Sequence, residues 1–273
     1  MNSGLVKRII TAAILIPVVT AGILYLPGKG FAIALGVFVI GGAWEWTHMM
    51  GLKKLPARIG FLILTSILLV LLYTMPVLPV VITGVVFWIV AIIQILLYER
   101  SFNNRLRNTP AMILAGLLVL LPAWKALVSL HAMNESGGYL VLFLMVIIWV
   151  ADSGAYFAGH KFGRHKLAPS TSPGKTWEGV AGALVATSIF ALVVYYNTGL
   201  MEMNSVAFVT LCLVTVMVSV AGDLYESMYK RIIGIKDSGV LIPGHGGVLD
   251  RIDSLTAAAP VFVAGYLLLR EMA

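Results

Sequence analysis

The sequence predicts an all-α, polytopic integral membrane protein of about nine transmembrane helices with a cytoplasmic N-terminus. Three observations carry this expectation. Of 273 residues, 60% are hydrophobic and the mean hydropathy is +0.96, more apolar surface than a soluble core absorbs. Apolar runs of the roughly 20 residues needed to cross hydrocarbon follow one another with short polar breaks. Basic residues fall at alternate ends of those runs. A transmembrane β-barrel would need alternating apolar and polar residues, whereas Phe61 to Leu72 is continuously apolar but for Thr65 and Ser66.

Hydropathy places the helices at 9–26, 31–49, 59–75, 77–97, 110–130, 139–158, 180–197, 205–228 and 250–269. The first follows Lys7 and Arg8 and has no small-residue cleavage site; Pro27, Gly28 and Lys29 lead straight into the second, so it reads as a span and not a signal peptide. The second carries Glu45 between Trp44 and Trp46, open either to an interfacial pair with Lys53 or Lys54 or to a part in a site. The sixth carries Asp152, with Trp149 and Tyr156 as interfacial anchors. The seventh follows the polar stretch PSTSPGKTWEG, Pro169 to Gly179. The eighth holds the only cysteine, Cys212, in an apolar run where it packs, and an intrachain disulfide is impossible. The chain reads as one membrane domain, 1–273, with N-terminal helices in 1–140 and a motif-bearing half in 141–273.

Charge tests this order. With the N-terminus inside, Lys7, Arg8, Lys53, Lys54, Arg58, Arg100, Arg105, Arg107, Lys161, Arg164, Lys166, Lys175, Lys230, Arg231, Lys236 and Arg251 all fall on the inner side, 16 of the 19 basic residues. That is the positive-inside bias. Together with attraction to anionic lipid it explains the +7 net charge. Nucleic-acid binding has no support, because no domain organises these cations.

Only 11% of residues are charged, yet KRIIGIKDSGVLIPGHGGVLDRID, Lys230 to Asp253, concentrates four cations, three aspartates, a histidine and five glycines. Asp223, Glu226, Ser227 and Lys230 are spaced to share one helix face. Asp250, Asp253 and Ser254 form a second stripe at the start of the last span, where a helix N-terminus favours negative charge. Two neighbouring carboxylate stripes suit a hard cation such as magnesium, which takes one or two carboxylates and leaves positions for water and phosphate. The plainer alternative is that the acids only pair with Lys230, Arg231 and Arg251. Between the stripes, LIPGHGGVLDR reads as a loop whose glycines let backbone N–H groups approach an anion. In the earlier stretch, Gly174, Lys175 and Thr176 fit a Walker loop, but Pro169 stands where its first glycine belongs and no strand of a βαβ unit precedes it, which excludes a P-loop. There remain the Ser172 and Thr176 hydroxyls, Lys175 as a phosphate cation, and Glu178 in a first helical turn, although Thr176 to Glu178 also fits an ordinary helix start.

The run from Ser227 to Asp253, S-M-Y-K-R, four residues, then K-D-S-G-V-L-I-P-G-H-G-G-V-L-D-R-I-D, resembles the signature of phosphatidate cytidylyltransferases, the CDP-diacylglycerol synthases. Ser172 to Gly179 resembles a second motif of that family, in which some members carry another lysine at the Gly174 position. The resemblance implies that CTP and phosphatidate give CDP-diacylglycerol and pyrophosphate, with magnesium dependence, a second cation left open, a multi-pass bacterial inner-membrane location and a homodimer. It implies Asp223 and Asp250 as metal ligands. Lys175, Lys230, Arg231, Lys236 and Arg251 are then expected at the substrate phosphates, and His245, Gly246 and Gly247 at the α-phosphate. Asp237 and Asp253 would hold the cations in place, and Asp152, Ser172, Thr176 and Glu178 complete the substrate set. Rival readings are a CTP-dependent polyprenol or phytol kinase, which would release CDP, and an ion-coupled transporter, which would place its acids near the midplane. The motif of CDP-alcohol phosphatidyltransferases is absent.

Overall fold

Inside hydrocarbon each backbone N–H and C=O must be paired within the segment that carries it, so every long apolar run closes as a helix. The computed structural model describes residues 3–101, 109–133, 135–198, 203–239, 241–242 and 246–271. Arg105, Arg107 and His245 lie outside the described residues, as do the side chains of Lys7 and Arg8. The described residues contain nine helices: α1 (Ser3–Tyr25), α2 (Gly28–Met49), α3 (Leu55–Thr74), α4 (Val77–Ser101), α5 (Thr109–His131), α6 (Gly137–Phe162), α7 (Trp177–Thr198), α8 (Ser205–Ile233) and α9 (Leu249–Arg270). Eight of these, α2 to α9, are long and apolar enough to cross a membrane.

Two short strands, β1 (Lys166–Ala168) and β2 (Ser172–Thr176), form an antiparallel hairpin between α6 and α7. The sequence reading had only loop there. Strands of three and five residues, KLA and SPGKT, carry too little period-two pattern to announce themselves.

The helices form no simple ring. In its most apolar stretch α5 is 72% buried, against 17% for α3, so α5 is the central post and α3 lies against lipid. Indole N–H groups fasten α2 to that post: Trp46 Nε1 donates to the Met112 carbonyl at 2.8 Å, and Trp124 Nε1 to the Ala32 carbonyl at 3.0 Å. The rings of Trp46, Phe87, Trp88, Tyr225 and Tyr229 fill the space among α2, α4 and α8 by edge-to-face contacts. Cys212 is buried, as its apolar setting predicted.

Successive helices run in opposite directions, so the ends of α2, α4, α6 and α8 meet the starts of α7 and α9. The bonds between these ends, described below, set the described site residues of both motifs at one face. Helix α8 has 29 residues, about 43 Å at 1.5 Å per residue, against a hydrocarbon thickness of about 30 Å. Its last turns, with Lys230 and Arg231, therefore reach the headgroup region. There Gly234 ends the helix in the left-handed conformation, φ 77°.

Helices α8 and α9 approach closely because Gly222 faces the Asp253 backbone and Ala257; a Cβ at Gly222 would lie 2.9 Å from the Ala257 Cβ. Gly222→Val should cost about 1–3 kcal/mol by overpacking, seen as a lower unfolding midpoint in detergent. Gly60→Val on α3, with nothing within 4 Å of such a Cβ, should leave the midpoint unchanged.

Candidate functional site

Asp223, Glu226, Ser227 and Lys230 line one face of the end of α8, as their spacing predicted. Ser227 Oγ donates to Asp223 Oδ1 at 3.1 Å. Lys230 Nζ bridges two helices, donating to Glu226 Oε1 at 3.1 Å and to Asp250 Oδ1 on α9 at 2.8 Å. Asp223 Oδ2 is 2.7 Å from Lys175 Nζ, which β2 carries across. Asp253 lies within electrostatic reach of Asp223, Lys175 and Lys230, and Asp152, exposed on α6, within reach of Lys175 and Asp223. Motif residues separated by up to 101 positions thus share one polar site.

The two lysine–aspartate pairs are not equivalent. Lys175 and Asp223 keep 26% and 35% of their side-chain surface, while Lys230 and Asp250 keep 10% and 11%. The first pair is open to an incoming ligand; the second is largely enclosed. Asp250 is also saturated by other donors: the Ser238 N–H at 3.1 Å to both of its oxygens and the Gly247 N–H at 2.9 Å. The plain ion-pairing alternative therefore holds for Asp250 and Lys230 as they stand.

A hard cation fits the donor chemistry. The carboxyls of Asp152, Asp223, Glu226, Asp250 and Asp253 gather around two ammoniums, a formal excess of three negative charges, and all are oxygen donors. Among the described residues no three acids, histidines or cysteines form a closed metal cage. Such a cage is not what magnesium takes when it keeps its water and shares substrate phosphate.

The glycine-rich loop gives its described amides after Gly246 to the protein's own side chains. Gly246 takes φ 87° and its carbonyl accepts from the Ile242 N–H at 2.9 Å. The amides that follow do not face open space. Gly247 N–H goes to Asp250, Val248 N–H to Glu45 Oε1 at 3.0 Å, and Leu249 N–H to Glu45 Oε2 at 2.9 Å. These N–H groups bind anions, as expected of such a loop, but the anions are the protein's own carboxylates. Gly239 and Gly247 have no Cβ because the Glu45 carboxylate occupies that space. Glu45 is 2% exposed and bound to this loop, which removes the interfacial pair with Lys53 or Lys54.

The hairpin is held in the same way. Glu99, at the end of α4, accepts from the Ser170 N–H at 2.9 Å, the Thr171 N–H at 2.8 Å and the Thr171 hydroxyl. Arg231 Nε donates to the Thr171 carbonyl at 3.2 Å, so this expected phosphate cation also braces the turn. Thr176 is buried and its Oγ1 accepts from the Gly179 N–H at 3.1 Å. It caps α7, the plain helix-start reading. Glu178 accepts from the Arg164 and His165 N–H groups, and its Oε1 lies 2.6 Å from His165 Nδ1. It ties the α6–β1 connection beside a groove of about 390 Å³ lined by Lys161, Phe162, Gly163, Arg164, His165 and itself. Thr176 and Glu178, expected in the substrate set, thus both have partners within the protein. Ser172 pairs with Ala168 in the hairpin. Lys236, Asp237 and Arg251 are exposed near the site.

The cytidylyltransferase family model matches residues 6–269. Phosphatidate cytidylyltransferase of Pseudomonas aeruginosa is 45% identical over 263 residues, covering 94% of this chain and 95% of its own. That of Haemophilus influenzae is 38% identical over 277 residues, covering 94% and 96%. That of Brucella suis is 35% identical over 268 residues, covering 94% and 91%.

Glu99→Gln removes one acceptor from two adjacent amides. An unpaired N–H of this kind costs about 1–3 kcal/mol, so trypsin should cut the intact detergent-solubilised variant at Lys166 or Lys175 several-fold faster than the wild type, with cleavage elsewhere unchanged.

Proposed function

We propose, on the premise that this chain belongs to the cytidylyltransferase family, that it transfers the cytidylyl group of CTP to phosphatidate, giving CDP-diacylglycerol and pyrophosphate for phospholipid synthesis. One observation carries the reading: Lys175, from the hairpin motif, and Asp223, one helical turn before the signature that begins at Ser227, form an accessible ion pair at one membrane face, beside four further acids and Lys230. A soluble polyanion and a lipid phosphate can meet only at such a face. The site is proposed to open to the cytoplasm from a bacterial inner membrane, in agreement with the clustering of basic residues at this end, and the protein to act as a homodimer.

The phosphate of phosphatidate is already anionic at neutral pH, so its oxygen needs no strong base to attack. That oxygen bonds to the α-phosphorus of CTP, the bond from this phosphorus to the α–β bridging oxygen breaks, and pyrophosphate leaves with that electron pair. The protein's task is to bring two anions together and to offset charge on the α-phosphate and leaving group. Lys175 is placed to exchange Asp223 for a phosphate oxygen. Arg231, Lys236 and Arg251 are exposed around the same opening and attract both anions. Lys230, enclosed between Glu226 and Asp250, fixes the α8–α9 junction and reaches substrate only if Asp250 releases it. Asp223 and, on such release, Asp250 would hold a magnesium ion. Bound there, it would neutralise phosphate oxygens and stabilise the leaving pyrophosphate.

Purified protein in detergent, given CTP, phosphatidate and magnesium, should release pyrophosphate and form a liponucleotide. Asp223→Asn and Asp250→Asn should each lower kcat by about a hundredfold or more, and chelation of magnesium should abolish turnover. Release of CDP in place of pyrophosphate would make the protein a kinase. Full activity in both variants would remove the metal assignment.

A further inference from the structure

Asp250 stands on the first turn of α9, just after a glycine-rich turn, and glycines alone do not hold a neighbouring side chain in one orientation. Its partners do: the amides of Ser238 and Gly247 and the ammonium of Lys230. The segments that supply those amides are pinned from the opposite side by Glu45. Ser238 joins the two carboxylates, giving its N–H to Asp250 and its hydroxyl to Glu45 Oε2 at 3.1 Å. The successive amides 247, 248 and 249 go to Asp250, Glu45 and Glu45.

Glu45 comes from α2, about 200 residues earlier in the chain. It reaches the loop because α2 presents Gly41 and Gly42 to it; a Cβ at these positions would lie 3.5 Å from Val248 and 3.2 Å from Leu249. Among the described residues no ion pair includes Glu45. Three hydrogen bonds and the positive end of α9 compensate the buried charge. Both oxygens are used: one by Val248, the other by Leu249 and Ser238.

We propose that Glu45 is a positioning residue for the cytidylyl transfer: it locks Ser238 and residues 247–249 so that Asp250 and Lys230 stay aimed at the polar site. This rests on the proposed function and acts through Asp250. It gives the N-terminal half a part in the chemistry that its apolar sequence does not announce. Glutamine at position 45 keeps the shape but offers one oxygen, so its amide nitrogen must face a backbone N–H, donor against donor. Aspartate keeps both oxygens and the charge, one methylene short.

Glu45→Gln and Glu45→Asp, purified in detergent, test it by two independent readouts. Hydrogen-exchange mass spectrometry of Glu45→Gln should show amides in 238–250 exchanging about tenfold faster or more, with 166–176 unchanged. Its kcat for pyrophosphate release should fall about 10- to 100-fold, while KM for CTP and phosphatidate shifts by less than about threefold. Glu45→Asp should recover part of both losses. Wild-type exchange in 238–250 of Glu45→Gln, or a loss confined to KM, overturns the inference. If the wild-type protein makes no pyrophosphate, the reaction reading falls, and the exchange result alone decides whether Glu45 locks the loop.

Discussion

A carboxylate at the edge of hydrocarbon must be matched by a cation or by several donors, and the rest of this structure depends on that constraint. Lipid tails are as apolar as leucine, so helices in a membrane gain little by hiding apolar faces from one another. Polar bonds between elements then carry much of the specificity. Around the polar site, bonds from carboxylates do this work. Glu45 of α2 holds the start of α9, Glu99 of α4 holds the hairpin, Lys230 of α8 holds Asp250 of α9, and Lys175 of β2 holds Asp223 of α8. Each acid takes its partner from a different element. Satisfying the charges and assembling the site are therefore one process.

This arrangement divides the labour between the halves of the chain. The C-terminal half carries the groups that face the polar site. The N-terminal half contributes the central helix α5 and two carboxylates aimed away from that site, into the backbones of the two motif stretches. An amide bound by a carboxylate is a stronger anchor than one bound by water or a neutral carbonyl. A glycine-rich turn and a five-residue strand, both weak structures alone, become fixed platforms for Asp250 and Lys175.

The legible part of this fold was whatever has a local signature. Hydropathy marks every helix, and the ends of the predicted spans differ from the observed ones mainly where polar turns extend a helix beyond hydrocarbon, as at 229–233 of α8. The helical spacings of Asp223, Glu226, Ser227 and Lys230, three, four and seven residues on from Asp223, gave the polar face of α8, since that pattern needs no partner to be seen. The roles of Glu45 and Glu99 were not legible, because their partners lie some 200 and 70 residues away and those partners are backbone amides, which no residue type marks. The same blindness covers the partners of the loop amides. Gly247 looks like a glycine that admits a phosphate, and it is one that admits Glu45; the two cases differ only in which anion arrives. Thr176 shows the reverse, a residue whose plain reading as a helix cap has a local signature and is observed.

The unequal exposure of the two lysine–aspartate pairs bears on the order of events in the proposed reaction. A phosphate oxygen can take Lys175 only by freeing Asp223, and a carboxylate left without its partner near hydrocarbon is costly, about 3–5 kcal/mol where such a pair is buried. The same holds in reverse for a cation that takes Asp223 and frees Lys175. Either ligand alone breaks a pair; both together exchange one pair for two. Nucleotide phosphate and divalent cation should therefore bind with positive linkage, each raising the affinity for the other by the same factor. The enclosed Lys230–Asp250 pair, gripped by the loop that Glu45 holds, is the harder one to open. In the proposed reaction that asymmetry would make the Lys175 side the entrance and the α9 side the wall against which the nucleotide is seated.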